Sequence, residues 1–284
     1  MMGDVMGGVP VKLGMAEPTN ERARTAVALA VLGGRIAREQ FDGASGAVWK
    51  TDGSMLTQAD LEIERRLEQE IANRFPADVV LGEEGTGQEL SRLEGRYWWV
   101  LDPIDGTNNF GRHMPGFCVS VGVLCDGAPV AGAIYDPLSD WLFTGWAGGG
   151  AWLNGSRINA PAAPLSPRSL FALRSPWPDG LPPFAQSWLA RYRLRRFGST
   201  ALHLCYAAFG GLAFVHDHRA SLWDIAGAAI VLLEAGGSIT YADGRPLFPI
   251  APNVAKEPIA FLAGNCVAHR LALDDVGAAH QVAL

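Results

Sequence analysis

The sequence has few cysteines, no long apolar segment and no excess of positive charge. Four of its 284 residues are cysteines, and none forms a Cys-x-x-Cys pair, so neither a disulfide framework nor a zinc knuckle is indicated. No apolar run reaches the roughly 18 residues that predict a transmembrane helix. Lysine and arginine number 23 against 29 aspartates and glutamates, and the net charge of −6 argues against a nucleic-acid-binding surface.

The N-terminal stretch also lacks a recognisable signal. Residues 1–16 contain glycine and proline without an apolar period, and they show neither the charged start nor the apolar stretch of a signal peptide. We expect a disordered arm over these residues and a cytoplasmic protein that binds neither membrane nor nucleic acid. A segment rich in glycine, alanine and proline over residues 146–167 suggests two halves, 17–150 and 151–284.

Hydrophobic periodicity predicts a chain of alternating helices and strands. Apolar residues at helical spacing indicate the helices, and short β-branched runs between glycine and aspartate turns indicate the strands. Helices are predicted over residues 17–40, 57–74, 198–210 and 223–235, and strands over 77–82, 97–101, 118–124, 130–135, 141–144, 170–173, 212–215 and 259–263. This pattern indicates a layered α/β protein.

Two acids follow the apolar run 97–101 at a spacing of three residues. Asp102 and Asp105 are separated by Pro103 and Ile104, and Gly106-Thr107 comes next. Such a turn can aim both carboxylates at one point, and carboxylates with substrate phosphate are the usual ligands of Mg²⁺. If a helix begins at Gly106 and Thr107, its free backbone N–H groups can bind a phosphate oxygen. An ordinary surface turn is the alternative.

Three further acidic positions have structural explanations when each is taken alone. Glu83 and Glu84 follow the short strand 77–82 and fit a solvated turn. Asp224 begins an apolar helix and fits an N-terminal cap. Asp60 lies in Thr57-x-x-Asp60, which fits a capping box.

Taken together, these motifs are more specific. The order Thr57-x-x-Asp60, Gly82-Glu83-Glu84, Asp102 to Thr107 and Trp223-Asp224 resembles the inositol monophosphatase family of metal-dependent, lithium-sensitive phosphatases over residues 20–270. The glycine-rich turn 148–155 and the segment 198–201 are also similar to that family. The resemblance implies an αβαβα sandwich of the inositol monophosphatase and fructose-1,6-bisphosphatase type, and a homodimer.

The resemblance also implies roles for individual residues. Two or three Mg²⁺ ions would be held by Glu83, Asp102, the carbonyl of Ile104, Asp105 and Asp224. Asp60 and Thr107 would form a dyad that helps to deprotonate the attacking water, with Glu83 the third catalytic residue. Gly106 and Thr107 would contact the phosphate, and Asp217, Ser199 and Arg219 the rest of the substrate.

The implied reaction is hydrolysis of a small polyol phosphate, with inositol monophosphate the first choice. Histidinol phosphate, fructose 1,6-bisphosphate and 3′-phosphoadenosine 5′-phosphate remain alternative substrates. A regulatory or RNA-associated protein that keeps the fold while catalysis is incidental is the alternative from another class. A nucleotide-binding module around Gly148-Gly149-Gly150 is disfavoured because no Walker lysine or Rossmann spacing accompanies it.

Overall fold

The structure is a computed structural model that describes residues 20–42, 48–49, 55–85, 96–255 and 257–282. The arm expected over residues 1–16 lies outside the described residues. Among the helices that are described, none is long and apolar enough to cross a membrane.

A seven-stranded sheet forms the first β layer. Its strands are β3 (Val79–Gly82), β4 (Tyr97–Asp105), β5 (Cys118–Cys125), β6 (Ala128–Asp136), β7 (Trp141–Trp146), β8 (Gly150–Leu153) and β9 (Ser156–Ile158), and they neighbour one another in that order. β3 and β4 pair in parallel, and the later strands form an antiparallel meander. This sheet continues past residue 150 to Ile158. A short antiparallel pair, β1 (Val48–Trp49) and β2 (Met55–Leu56), lies apart from it.

Two helices cover one face of this sheet. α1 (Glu21–Phe41) begins at Asn20, whose Oδ1 accepts a hydrogen bond of 2.7 Å from the N–H of Ala23. α2 (Gln58–Arg74) follows β2, and its apolar side chains join those of α1, β4 and β5 in one buried cluster. The amphipathic pattern of both helices therefore reflects packing on the sheet.

Two more helices fill the space between the first sheet and a second one. They are α5 (Thr200–Ala208) and α6 (Leu222–Glu234), and their residues share one core cluster with both sheets. The approach of α6 is close. A Cβ atom on Gly132 of β6 would lie 2.1 Å from the carbonyl O of Gly227 in α6. Gly132 must therefore lack a side chain, because the backbone of α6 touches the sheet at this position.

The second sheet has five strands and carries the outermost helices. It contains β10 (Leu170–Leu173), β11 (Arg193–Leu194), β12 (Phe214–Ala220), β13 (Gly237–Tyr241) and β14 (Ile259–Asn265), in the spatial order β11-β10-β12-β14-β13. α4 (Pro183–Arg191) and α7 (Cys266–Val282), neither of which the periodicity predicted, pack on its outer face. The layers alternate as α, β, α, β, α, which confirms the expected sandwich.

Candidate active site

Three carboxylates from two elements meet at the carboxyl end of β4. Asp102 and Asp105 lie at the end of this strand, where its pairing with β5 is interrupted between them. Asp224 is in the first turn of α6. Ser120 Oγ of β5 donates to the carbonyl of Trp223 at 3.5 Å, which links the start of α6 to the sheet. Oxygen atoms of the three acids all lie within 4.8 Å of one another.

The electrostatics of this acidic triad favour a cation. Burial, and then the charges of Glu83, Asp105 and Asp224, raise the pKa of Asp102 well above its usual value. Burial and the neighbouring Asp105 raise the pKa of Asp224 in the same way. Asp102 is 1% exposed, and its Oδ1 has no hydrogen-bond partner among the described residues. A set of crowded carboxylate oxygens with an unused acceptor fits a hard divalent cation.

Asp105 is held by the start of α5. Burial raises the pKa of Asp105 to about 6, against the opposing effect of three donors. These are Ser199 Oγ at 2.6 Å and the backbone N–H groups of Thr200 and Ala201 at 3.3 and 2.5 Å. Ser199 Oγ also accepts from the N–H of Leu202 at 3.1 Å. The same hydroxyl therefore caps α5 and fixes the orientation of Asp105.

The position of Ser199 differs from the expected substrate contact. Its side chain is fully buried behind Asp105, and it does not line the catalytic cavity. Both hydrogen-bonding directions of its hydroxyl are used within the protein. Ser199 therefore positions Asp105, a candidate metal ligand, and has no exposed surface that a substrate could contact.

Glu83 is brought beside the triad by strand pairing. The parallel register of β3 and β4 places Gly82 opposite Leu101, and the N–H of Glu83 donates to the carbonyl of Leu101 at 3.2 Å. Glu83 comes directly after Gly82 and Asp102 directly after Leu101, so the two acids lie at the same edge of the sheet. Its half-buried side chain lines the cavity, and its charge contributes to the raised pKa of Asp102.

Asp60 and Thr107, the expected dyad, each hydrogen-bond to a residue three positions earlier in the sequence. The Oδ2 atom of fully buried Asp60 accepts from the N–H and the hydroxyl of Thr57 at 2.7 and 2.5 Å, which completes the capping box of α2. The hydroxyl of Thr107 donates to the carbonyl of Ile104 at 2.8 Å. The charge of Asp60 still reaches Asp102, whose pKa it helps to raise.

A short helix, α3 (Thr107–Phe110), follows the triad. Gly106 precedes it, and Gly106, Thr107 and Ile104 all line the cavity. The Ile104 carbonyl and the Thr107 hydroxyl are within 2.8 Å of each other, so a single cation can approach both oxygens. All three residues line the cavity beside the triad, and their contacts with metal and phosphate stay a prediction.

Asp217 and Arg219 occupy different surroundings. Asp217 lines the cavity, is 2% exposed and accepts from Arg174 Nη1 at 3.2 Å, Thr200 Oγ1 at 3.1 Å and the N–H of Arg219 at 2.8 Å. The side chain of Arg219 is exposed and does not line the cavity. The expected contact of Arg219 with substrate is therefore not supported; only its backbone reaches the site, through Asp217.

Two other arginines line the cavity instead, and sequence reasoning missed both. Arg174 follows β10, and its Nη1 lies 3.2 Å from Asp217 Oδ2 and 3.7 Å from Asp224 Oδ2. Arg196 precedes α5 and contacts Ser175. Pairing of β10 with β12 in parallel, with Leu173 opposite His216, brings Arg174 next to Asp217. The sequence did not indicate the place of Arg174 because this strand pairing joins segments that are far apart in the chain.

These groups surround one cavity of about 390 Å³. It opens where β4, α3, α5 and α6 converge. Its lining contains the acidic side chains of Glu83, Asp217 and the triad together with the guanidinium groups of Arg174 and Arg196.

Comparisons with known proteins place the chain in one family. The model of the inositol monophosphatase family matches residues 19–279. The chain is 30% identical over 248 residues to an inositol-1-monophosphatase of Bacillus subtilis, covering 86% of this chain and 91% of the relative. It is also 30% identical over 242 residues to inositol monophosphatase 1 of Bos taurus, covering 82% and 87%.

Solved structures agree with the sequence comparisons. An IMPase of Thermotoga maritima superposes with a TM-score of 0.81 at 26% identity, covering 93% of this chain and 99% of the other. The inositol monophosphatase of Anabaena gives 0.74 at 28% identity, covering 90% and 95%. The chain therefore belongs to the inositol monophosphatase family and is a phosphoric monoester hydrolase.

Proposed function

We propose that this phosphatase is Mg²⁺-dependent and hydrolyses a small polyol phosphate, with inositol monophosphate as the reference substrate. The observation that carries the proposal is the triad of Asp102, Asp105 and Asp224, whose oxygens lie within 4.8 Å of one another and which lines the cavity. The names of the relatives from Bacillus subtilis and Bos taurus support the choice of inositol monophosphate.

Five groups would hold two or three Mg²⁺ ions. All five offer oxygen atoms, and neither a thiolate nor an imidazole is among them, which suits a hard cation. They are Glu83, Asp102, the Ile104 carbonyl, Asp105 and Asp224. When bound, the ions neutralise phosphate charge, lower the pKa of the attacking water and stabilise the leaving oxygen.

Asp60 and Thr107 would act on the attacking water. In the proposed mechanism the Thr107 hydroxyl orients this water and Asp60 accepts the proton, directly or through the threonine. The bonds from Thr57 hold Oδ2 of Asp60 in place, so the carboxylate is preorganised for this role. Transfer through the threonine requires the Thr107 hydroxyl to exchange its hydrogen bond from the Ile104 carbonyl to Asp60.

The phosphate and the leaving group would bind on opposite sides of the triad. Gly106 and Thr107, at the start of α3, would donate to phosphate oxygens. Asp217, together with the arginine side of the cavity, would contact the leaving group. Phosphate esters hydrolyse very slowly in water, so this combination of positioning and charge neutralisation must supply most of the rate enhancement.

We also propose a cytoplasmic homodimer that is inhibited by lithium, on the basis of the resemblance to the family. Light scattering after gel filtration measures the assembly, and a lithium titration at fixed Mg²⁺ measures the inhibition. A monomer at micromolar concentration would contradict the proposed homodimer, and activity unaffected by lithium would contradict the proposed inhibition.

A phosphate-release assay tests the function. The purified chain is incubated with Mg²⁺ and, separately, with inositol 1-phosphate, histidinol phosphate, fructose 1,6-bisphosphate and 3′-phosphoadenosine 5′-phosphate. We expect turnover of at least one polyol phosphate that disappears with a chelator and in Asp102→Asn. Absence of turnover with every substrate would favour the non-enzymatic alternative.

A further inference from the structure

The segment that follows β10 contacts β12 from both sides of the second sheet. Side chains alternate along a strand, so Asp217 lines the cavity while the ring of His218 lies on the outer side. On the cavity side, Arg174 Nη1 donates to Asp217 Oδ2 at 3.2 Å. Trp177, three residues further along the chain, packs on the outer side. We call residues 174–177 the β12 clamp.

Ring contacts and a hydrogen bond hold Trp177 on the outer side. Its ring stacks on that of His218, with 3.9 Å between the centroids and 28° between the planes. The ring of Phe184, on helix α4, lies 6.3 Å away. Trp177 Nε1 donates to the carbonyl of Arg174 at 2.7 Å, and the N–H of Arg174 donates to the carbonyl of His216 at 3.1 Å. The indole therefore helps to fix the backbone of Arg174 against β12.

The carboxylate of Asp217 keeps room for a further donor from the cavity. Its Oδ2 accepts from Arg174 Nη1 and from Thr200 Oγ1 at 3.1 Å. Its Oδ1 accepts from the N–H of Arg219 at 2.8 Å. An ionised carboxylate offers about four acceptor positions, two on each oxygen, so Oδ1 can accept one more hydrogen bond. The two donors on Oδ2 set the rotation of the carboxylate and hence the direction of this position.

We propose that Trp177 is a positioning residue for recognition of a hydroxyl group on the leaving group, and that it acts through its stack on His218. This inference rests on the proposed phosphatase function, in which Asp217 contacts the leaving group. Trp177 itself does not line the cavity, and among the described residues it has no hydrogen bond or ring contact with a metal-ligand candidate. Without the indole, Arg174 would no longer hold Asp217 in one rotation, on which the alignment of a substrate hydrogen bond depends.

Steady-state kinetics with two substrates tests this role of the clamp. The leaving group of inositol 1-phosphate carries hydroxyl groups, whereas that of 4-nitrophenyl phosphate carries none. Trp177→Ala removes both the stack and the bond to the Arg174 carbonyl. His218→Ala removes only the stack, and His218→Phe restores an aromatic ring there. Leu189→Ala is the control, because Leu189 is exposed on α4 and does not line the cavity.

At saturating Mg²⁺, Trp177→Ala should raise the KM for inositol 1-phosphate about tenfold, the effect of weakening a hydrogen bond to a charged group, and change kcat less than about twofold. The KM for 4-nitrophenyl phosphate should stay at the wild-type value. His218→Ala should show the same selective rise, which His218→Phe should largely reverse. Leu189→Ala should match the wild type with both substrates. Thermal unfolding establishes which variants are folded, and the His218 pair tests the same stack if Trp177→Ala does not fold.

Two results would overturn the positioning role and leave the phosphatase function intact. One is a wild-type KM for inositol 1-phosphate in the folded alanine variants of Trp177 and His218. The other is an equal loss with both substrates, which a general disturbance of the site would cause. A wild-type protein that hydrolyses neither substrate would overturn the proposed function and this inference with it.

Discussion

The side chain of Glu64 accepts a hydrogen bond of 2.9 Å from the backbone N–H of Glu84. Glu64 lies on α2, one turn after Asp60, and is 4% exposed. Its carboxylate also fills the space beside Gly82, where an added Cβ would lie 2.4 Å from the Glu64 carboxyl carbon. The helix that carries Asp60 therefore also fixes the turn that carries Glu83.

Glu64→Ala should weaken metal binding. The change leaves the part-buried Glu84 N–H without this acceptor and frees the turn that positions Glu83, a loss of about 1–3 kcal/mol. We expect the Mg²⁺ concentration for half-maximal activity to rise about tenfold, with kcat at saturating Mg²⁺ reduced less. Mg²⁺ titrations of activity and of thermal unfolding measure both effects.

Two variants serve as controls for this positioning role. Glu64→Gln keeps an acceptor oxygen and should recover most of the metal affinity. Glu68→Ala, one helical turn further along α2, removes a half-buried carboxylate that has no hydrogen bond to Glu83 or Glu84 among the described residues. A folded Glu64→Ala with wild-type Mg²⁺ dependence would show that Glu83 is held without Glu64.

Asp102→Asn should separate metal binding from folding. Removing one buried negative charge reduces the repulsion within the triad, so the metal-free variant should melt at a higher temperature than the metal-free wild type. Added Mg²⁺ should raise the melting temperature of the wild type but not of the variant, because ligand binding stabilises the folded state. Activity at high Mg²⁺ should fall by about two orders of magnitude or more.

Asp126→Asn provides the comparison for Asp102→Asn. Asp126 is exposed in the turn between β5 and β6, so its replacement leaves the triad charge unchanged. Its melting temperature should respond to Mg²⁺ as in the wild type. An equal response to Mg²⁺ in Asp102→Asn would remove Asp102 from the set of metal ligands.

Asp60→Asn should lower kcat by orders of magnitude while the protein stays folded. An asparagine oxygen can still accept the N–H of Thr57, so the capping box is largely kept, but the proton acceptor is lost. Asn20→Ala is a matched control because it removes the cap of α1, at a cost of about 1 kcal/mol, without touching the cavity. Near-normal turnover of Asp60→Asn with saturating Mg²⁺ would leave Asp60 with only its capping role.

Local sequence predicted the capping box of α2 and the convergence of Asp102 and Asp105 because each involves residues only three apart, whereas Asp224 joined the predicted site through the resemblance to the family. Asp102 and Asp105 lie on one strand end, and Asp224 in the first turn of its helix is both a capping residue and a member of the triad. The two interpretations of Asp224 were not alternatives. The place of Arg174 in the cavity was not predictable in this way, because Arg174 meets Asp217 only through the parallel pairing of β10 and β12.

The missed helix α7 has a different cause. It follows β14 without a loop, and Asn265 both ends the strand and accepts from the N–H groups of Val267 and Ala268 at 3.1 and 2.9 Å. The capping residue was present, but the apolar run before it predicted only a strand. Burial of Ser199 behind Asp105 likewise depends on tertiary packing, which residue type does not reveal.

Gly132→Ala should destabilise the fold and the site together. The added Cβ would lie 2.1 Å from the Gly227 carbonyl, so α6 must move away from β6. We expect a loss of about 1–3 kcal/mol in unfolding free energy and, because α6 carries Asp224, a higher Mg²⁺ requirement. Gly277→Ala on α7 meets open space and should stabilise the helix by up to about 1 kcal/mol without changing Mg²⁺ dependence. A wild-type unfolding free energy and a wild-type Mg²⁺ requirement in Gly132→Ala would show that α6 accommodates the added methyl group.

His216→Phe should reduce the loss of stability in acid. Burial lowers the pKa of His216 to about 3, and its ring stacks on Phe184 at 5.2 Å between centroids. An unfolded histidine titrates near pH 6.5, so the folded state binds fewer protons. The stability linked to His216 is therefore complete above about pH 6.5 and is lost as the pH falls toward 3.

Phenylalanine keeps the stacking and removes the titration, and His216 Nδ1 has no hydrogen-bond partner among the described residues to lose. Between about pH 7 and pH 4, the free energy of unfolding measured with urea should fall less steeply for His216→Phe than for the wild type. His203, whose pKa burial also lowers to about 3, remains in both proteins and accounts for part of the residual decline. Parallel pH profiles for the two proteins would mean that His216 is not a source of acid sensitivity, because the variant removes this titration and leaves that of His203.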